Sequence, residues 1–285
     1  MDLESHAVSA ALKRLVHTLV PRSLVNLAWN LAGDLKELPA RMGDPRPRPW
    51  RFWHNVGGGD FHKTGEAFFD LFRREVALDA DAHVLDMGCG AGRLAFPICA
   101  FLGPDGRYTG FDIAPRAVRF ARRHVRGECA IDFVLADLAN DEYQRSGARA
   151  ASYSFPAEDG SVDAALATSL FSHLMADDAE AYLKEAGRVL RPGGRIMLTA
   201  FLVSPEDRAR LEAGRCRLAL QPFGEAAFAV DPRHPERAIG FDESRFMAWV
   251  EQAGLQLVGE MARGDWREAG ATGGEFQDRL VLARD

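Results

Sequence analysis

At 285 residues, 47% of them hydrophobic, the chain is long enough to bury one full core with a small appended cap. Its formal net charge of −6 offers no basic footprint for a phosphate backbone, which argues against a nucleic-acid partner. Cys89, Cys99, Cys129 and Cys216 show no Cys-x-x-Cys spacing and read as free thiols; with no apolar run of membrane-spanning length and no basic-then-apolar leader, the expected location is the cytoplasm.

Val8, Leu12, Leu15 and Leu19 form one helical stripe, and after Pro21 the series Leu24, Leu27, Leu31, Leu35 and Leu38 continues it. Residues 1–53 are therefore predicted as a helical N-terminal extension with a Pro- and Arg-rich connector, ahead of a catalytic domain over 54–285. Up to Trp53 there are eight Lys and Arg against five Asp and Glu. Two uses fit: a cap packed on the domain or on a second copy in a homodimer, or a surface for peripheral membrane contact and a lid over a lipid-like substrate. Packing is the commoner fate of such stripes. Pro45, Pro47 and Pro49 then mark an extended connector. It leads through His54 to Gly57-Gly58-Gly59-Asp60-Phe61-His62. Three consecutive glycines are costly to order, so this loop either closes over a ligand, with Asp60, Phe61 or His62 facing it, or seats the helix predicted from Thr64 to Val76.

Val84-Leu85 reads as the end of a buried strand, Gly88, Gly90 and Gly92 as a turn with no side chains in the way, and Leu94-Ala95-Phe96 as the opening of an apolar helix. A ligand can lie directly on such a turn, whose free N–H groups favour a negative group. Asp86, two residues before the first glycine, decides which ligand. It would repel a dinucleotide pyrophosphate, and the third glycine of that fingerprint would fall at Arg93. A ligand with an amine for Asp86 and a carboxylate for the turn suits better, and the methionine end of S-adenosylmethionine carries both. At these residues the chain resembles the class I S-adenosylmethionine-dependent methyltransferases. The Gly-Gly-Gly-Asp-Phe segment is similar to those of bacterial members whose substrates are mostly unassigned.

Gly106 to Asp112 is predicted as a second strand ending in an acid, placed to accept hydrogen bonds from both ribose hydroxyls, with Ile113 beside it and Pro115 in the first turn of a helix. The third strand runs from Ile131 to Leu138. The resemblance implies that Asp137 meets the adenine amino group and that Leu138 packs on the ring, whereas by itself Asp137 also reads as a turn residue. Residues 139–161 form a long connection with Tyr153, a candidate substrate contact. The fourth strand, Ala164 to Thr168, finishes in Ser169-Leu170-Phe171-Ser172-His173, beside the end of the first strand, where ligands bind in a doubly wound sheet.

Asp177 with Glu180 reads as a capping box for a helix to Leu190, stopped by Arg191-Pro192-Gly193-Gly194. A fifth strand follows from Arg195 to Phe201, and 204–241 is an aromatic-bearing cap insertion that roofs a pocket or makes a dimer face. Phe201 is a candidate substrate contact. A helix from Asp242 to Ala253, a sixth strand from Leu255 to Met261 and a last strand from Asp278 complete the chain. The resemblance covers Thr64 to Asp285 and implies that the last strand inserts antiparallel between the fifth and sixth.

The expected fold is thus α/β, a Rossmann-like seven-stranded sheet with a last antiparallel strand, an N-terminal helical extension and a cap insertion. The expected cofactor set is Asp86, Gly88, Cys89, Gly90, Gly92, Asp112, Ile113, Asp137, Leu138 and Ser169 for S-adenosylmethionine, with S-adenosylhomocysteine as product. His173 is the preferred general base; its structural alternatives are a helix cap or a partner for Asp163. No metal-ligand spacing is visible, so none is expected. The acceptor is expected to be a small molecule, glycan or lipid-like compound, methylated on oxygen ahead of nitrogen. The alternatives are a non-catalytic cofactor-binding domain and an NAD-linked oxidoreductase.

Overall fold

The computed structural model describes residues 32–35, 38, 43–50, 59–138, 147–271 and 274–285. The chain divides into two compact units, Met1–Lys63 and Thr64–Asp285. Most of the N-terminal leucine stripe, together with His54, Gly57 and Gly58, lies outside the described residues. In the first unit Arg48 is buried, with its guanidinium 2.8 Å from Asp44 and 2.6 Å from Asp60. Asp60 Oδ1 also accepts the N–H groups of His62 (3.1 Å) and Lys63 (2.9 Å). A carboxylate on the first turn satisfies orphan helix donors, which accounts for helix α1, Phe61–Val76, starting three residues before the predicted Thr64.

The strands in chain order are β1 (His83–Met87), β2 (Arg107–Asp112), β3 (Ala130–Leu135), β4 (Val162–Ala167), β5 (Leu190–Ala200), β6 (Leu202–Val203), β7 (Gln221–Phe223), β8 (Ala227–Ala229), β9 (Ile239–Asp242), β10 (Leu255–Leu257) and β11 (Asp278–Arg284). Seven of them form one sheet in the order β10-β11-β5-β4-β1-β2-β3. β1 pairs in parallel with β2 and β4, and β11 runs antiparallel to both β5 and β10, as expected for the last strand. The order reverses between β1 and β4, the switch point at which a crevice opens outside the carboxyl ends.

The remaining helices are α2 (Ala95–Phe101), α3 (Pro115–His124), α4 (Ala176–Val189), α5 (Pro205–Glu212) and α6 (Glu243–Gln252). Strand periodicity sorts the core into two layers. Val84, Leu166, Met197 and Val281 face Ile98 of α2 and Val118 of α3. The alternate residues Leu85, Ala165, Leu198 and Leu280 face Leu183 of α4 and Phe246 of α6. The 204–241 insertion is a built element: α5, then β7, β8 and β9, which with β6 form a four-stranded sheet in the order β6-β9-β8-β7. It covers a third small core of Phe201, Val203, Leu220, Phe228 and Trp266. Among the described residues no helix is long and apolar enough to cross a membrane.

Two local expectations need correction. The helix after β4 begins at Ala176 behind Met175 with no side-chain cap, which places Asp177 inside the first turn, so the Asp177–Glu180 capping box does not form; Asp178 accepts the Ala151 N–H at 2.7 Å. The capping box lies at α5, where Ser204 and Asp207 satisfy each other's backbone N–H groups at 3.2 Å. The sixth strand of the main sheet is shorter than predicted, ending at Leu257, two residues before Gly259 takes a positive φ of 70°.

Candidate active site

The glycine turn follows from backbone sterics. Gly88, Gly90 and Gly92 have φ of 73°, 53° and 82°, a region costly for any residue with a Cβ. Its N–H groups do not point outward as the sequence implied. Those of Gly88 and Cys89 bond to Phe111 O at 2.9 and 3.1 Å, Gly90 N donates to Asp112 Oδ2 at 2.8 Å, and Gly92 N donates to Cys89 O at 2.9 Å. At these residues the turn offers a ligand close approach; its donors tie it to the end of β2. Gly92 is also hemmed in, since a Cβ there would stand 3.0 Å from Val125 Cγ2 and 3.3 Å from Ala121 Cβ. Gly92→Ala should therefore cost about 1–3 kcal/mol and weaken ligand binding at the turn, both readable from denaturation and from titration with S-adenosylhomocysteine. An unchanged melting midpoint would refute the strain argument.

Two carboxylates close on this turn. Asp86, at the end of β1, is 2% exposed and accepts the Tyr108 hydroxyl at 2.6 Å. Burial pushes its carboxyl up to about 7, opposed by Tyr108 and assisted by Asp112. Asp112, at the end of β2, accepts the N–H groups of Gly90 and Ala114 (2.7 Å), and burial raises it despite these bonds. Two partly frustrated acids are relieved by a ligand carrying positive charge and aggravated by a pyrophosphate. This donor set fits the sulfonium and amine of S-adenosylmethionine. The Cys89 thiol between them is buried and its pKa is pushed up, first by burial and then by both acids, so it is not a nucleophile.

The β4 end closes the other side. Leu170 packs on Gly88, where a Cβ would approach its Cδ1 to 3.3 Å. Ser169 holds a positive φ of 55°, unusual for a residue with a side chain. A closed ring of hydrogen bonds fixes it there. Ser169 N donates to Thr199 Oγ1 (2.8 Å), Thr199 to Gln277 Oε1 (2.5 Å), Gln277 Nε2 to Ser172 Oγ (3.0 Å), and Ser172 back to Ser169 O (3.2 Å). The ring joins the ends of β4 and β5 to the residue before β11. Next to it, His173 Nδ1 lies 2.7 Å from Glu236 O in the cap. A carbonyl only accepts, so Nδ1 carries hydrogen and Nε2 is the nitrogen at which the ring takes up a proton. His173 does not hold Asp163, whose carboxylate instead takes His83 N at 2.8 Å and Arg191 Nε.

The other predicted contacts are placed as follows. Ile113 is half-buried, Asp137 is exposed just past β3, and Leu138 is buried and bridges to Ala148. Tyr153 is half-buried with its ring 5.3 Å from Phe111, directly before Asp112. Phe201 is buried edge-on to Trp266 at 6.0 Å, inside the cap's core. In the first unit, His62 Nε2 lies 3.1 Å from Pro47 O, and burial together with Arg46 and Arg48 lowers its pKa. Asp60 is engaged with Arg48 and the start of α1. A cleft of about 470 Å³ between the starts of α5 and α6 is lined by paired charges, Arg263 with Glu243 and Arg210 with Asp207, and lacks the glycine turn. Among the described residues no group of three or more His, Cys, Asp or Glu is arranged to hold a metal.

Sequence reasoning missed Tyr108, Thr199, Ser172 and Gln277. Only Tyr108 carried a signal, because a phenol in a buried strand requires an acceptor, and the strands on either side of it carry one acid each, Asp86 and Asp132.

The family described as a methyltransferase domain matches residues 84–194, from β1 into the start of β5. The nocamycin O-methyltransferase of Saccharothrix syringae is 30% identical over 253 residues, 74% of this chain and 84% of that protein. An uncharacterized 37.1 kDa protein in transposon TN4556 of Streptomyces fradiae is 36% identical over 130 residues, 44% of this chain, which spans only 33% of its length. In fold, the magnesium protoporphyrin IX methyltransferase of Synechocystis PCC 6803, solved with bound S-adenosylhomocysteine, superposes with a TM-score of 0.50 at 16% identity, covering 93% of this chain and 100% of that one. The chain belongs to the class I S-adenosylmethionine-dependent methyltransferases. It is an enzyme of methyl transfer, and S-adenosylmethionine is its methyl donor.

Proposed function

We propose that this methyltransferase acts in the cytoplasm on a small-molecule, glycan or lipid-like acceptor and transfers the methyl group to oxygen. The observation that carries the donor site is a pair of carboxylates, buried Asp86 and half-buried Asp112, closing on a turn of positive-φ glycines. In this reading Asp86 meets the donor's amine, Gly88, Cys89, Gly90 and Gly92 lie under its methionine part, and Asp112 takes the ribose hydroxyls, with Ile113 alongside. Asp137 and Leu138 serve the adenine, and Ser169 borders the sulfur. Asp112→Ala should weaken S-adenosylhomocysteine binding by about 1–3 kcal/mol, measured by titration; unchanged affinity would place the ribose elsewhere.

Bound there, the donor supplies a methyl group on a positively charged sulfur that leaves readily as a neutral sulfide. The protein's own work is alignment, exclusion of water and removal of the acceptor's proton. His173 Nε2 takes that proton from an alcohol or phenol while Nδ1 stays bonded to Glu236 O. Likeness to an O-methyltransferase supports oxygen as the acceptor atom, and the aromatic cap next to His173 supports an acceptor with apolar surface.

The test is transfer of radiolabelled methyl from S-adenosylmethionine into a cell extract, separated into organic-soluble, glycan, protein and nucleic-acid fractions. Label in the organic or glycan fraction is expected. Label in protein or nucleic acid would overturn the acceptor reading and leave the donor site standing.

A further inference from the structure

The register of β1 and β2 sets Asp86 opposite Gly110 and Val84 opposite Tyr108, so these four residues share one face of the sheet. Tyr108 is fully buried, and its hydroxyl crosses diagonally to Asp86 Oδ2. Gly110 makes the diagonal possible: a Cβ there would stand 2.9 Å from Tyr108 Oη and 3.0 Å from Cys89 Cβ. Phe133 of β3 supports the ring from the next strand, with centroids 5.4 Å apart. The phenol thus takes one oxygen of the Asp86 carboxylate. The other oxygen accepts no hydrogen bond among the described residues.

We propose that Tyr108 is a positioning residue for the methyl donor, pinning Asp86 by one oxygen so that the other receives the donor's amine. The inference rests on the assignment of Asp86 to the donor site made above.

The electrostatics give this bond a measurable role. Burial holds Asp86 at about 7, Asp112 adds to the rise, and the Tyr108 hydroxyl is the group that opposes them. Asp112 is the charged neighbour of Asp86, whereas the thiols and the phenol around it keep their protons: burial raises Cys89, Cys99 and Tyr108, so Tyr108 remains a donor throughout. A cationic amine binds the ionised carboxylate. Affinity for the donor's product should therefore fall as pH drops through about 7, approaching tenfold per pH unit. Loss of the phenol raises the Asp86 pKa further and moves that inflection upward.

The experiment titrates the full-length chain with S-adenosylhomocysteine at a series of pH values on either side of neutrality. Tyr108→Phe, which keeps the ring in the core, should bind about tenfold more weakly at neutral pH, with its inflection at higher pH and wild-type affinity recovered at alkaline pH. Gly110→Ala, which crowds the hydroxyl aside without removing it, should shift the inflection the same way. Asp86→Asn should flatten the profile. If Asp86→Asn flattens it while Tyr108→Phe and Gly110→Ala keep the wild-type inflection, Tyr108 is only a core residue and the proposal is overturned. If Asp86→Asn leaves affinity and profile unchanged, the placement of Asp86 at the donor fails and takes the proposal with it.

Discussion

Arg267→Met should lower the stability of the chain by about 3–5 kcal/mol. Arg267 is 6% exposed and every N–H of its guanidinium is engaged: Nε with Asp207 at 3.1 Å, one terminal nitrogen with Gly264 O and Asp278, the other with Leu202 O and Asp278. Asp278, wholly buried at the start of β11, also takes the N–H groups of Leu202, Gly264 and Trp266. This node binds the cap sheet to the main sheet. Methionine would fill much of the volume, yet it strands a charged Asp278 in the core, and that uncompensated charge is the main cost. Chemical denaturation reads the loss, and a second substitution, Asp278→Leu, should return part of it by removing the stranded charge. A single-variant loss below about 1 kcal/mol would mean that water reaches the node. The node also predicts an acid limb. Burial alone would raise Asp207, but Arg267 and Ser204 together bring it below its ordinary 3.8. Its contribution is therefore present above that value and is lost as pH falls below it.

His173→Ala should cut turnover by about 10²–10⁴-fold while leaving S-adenosylhomocysteine affinity unchanged. The ring is fixed at both ends of its setting. Glu236 O holds Nδ1, and the hydrogen-bonded ring of Ser169, Thr199, Gln277 and Ser172 holds the loop that carries it. Such support is what a base needs to present one nitrogen to a hydroxyl. The measurement is the rate of label transfer to the acceptor fraction, at saturating donor, for wild type and variant. Equal rates would show that the acceptor ionises without help and that His173 serves to tie the β4 loop to the cap.

The parts of the site that lie within a few residues of one another were legible in the sequence. Gly88, Gly90 and Gly92 announce a turn because only glycine accepts those φ values cheaply, and Asp86 and Asp112 stand out as acids closing apolar strands. Alternating strands and helices announce an α/β sheet, and the place of the last strand, antiparallel between β5 and β10, was implied by the resemblance to the methyltransferases. What stayed hidden depends on register and on partners distant in the chain. That Tyr108 reaches Asp86 is a consequence of Asp86 lying opposite Gly110, and Gln277 meets Thr199 only once β11 has inserted beside β5. The inward aim of the turn's N–H groups was equally invisible, because it requires Phe111 O and Asp112 to be in place. The failed capping box at Asp177 shows the reverse case, a local pattern overridden because the helix starts at Ala176 and leaves Asp177 inside its first turn, past the cap position.

In the proposed site a cationic methyl donor lies at the glycine turn between two carboxylates. The most direct test is calorimetric titration of the full-length chain with S-adenosylhomocysteine and, separately, with NAD. Saturable one-site binding of S-adenosylhomocysteine, weakened in Asp112→Ala, with no heat from NAD, is the predicted result. Binding of NAD without binding of S-adenosylhomocysteine would contradict it.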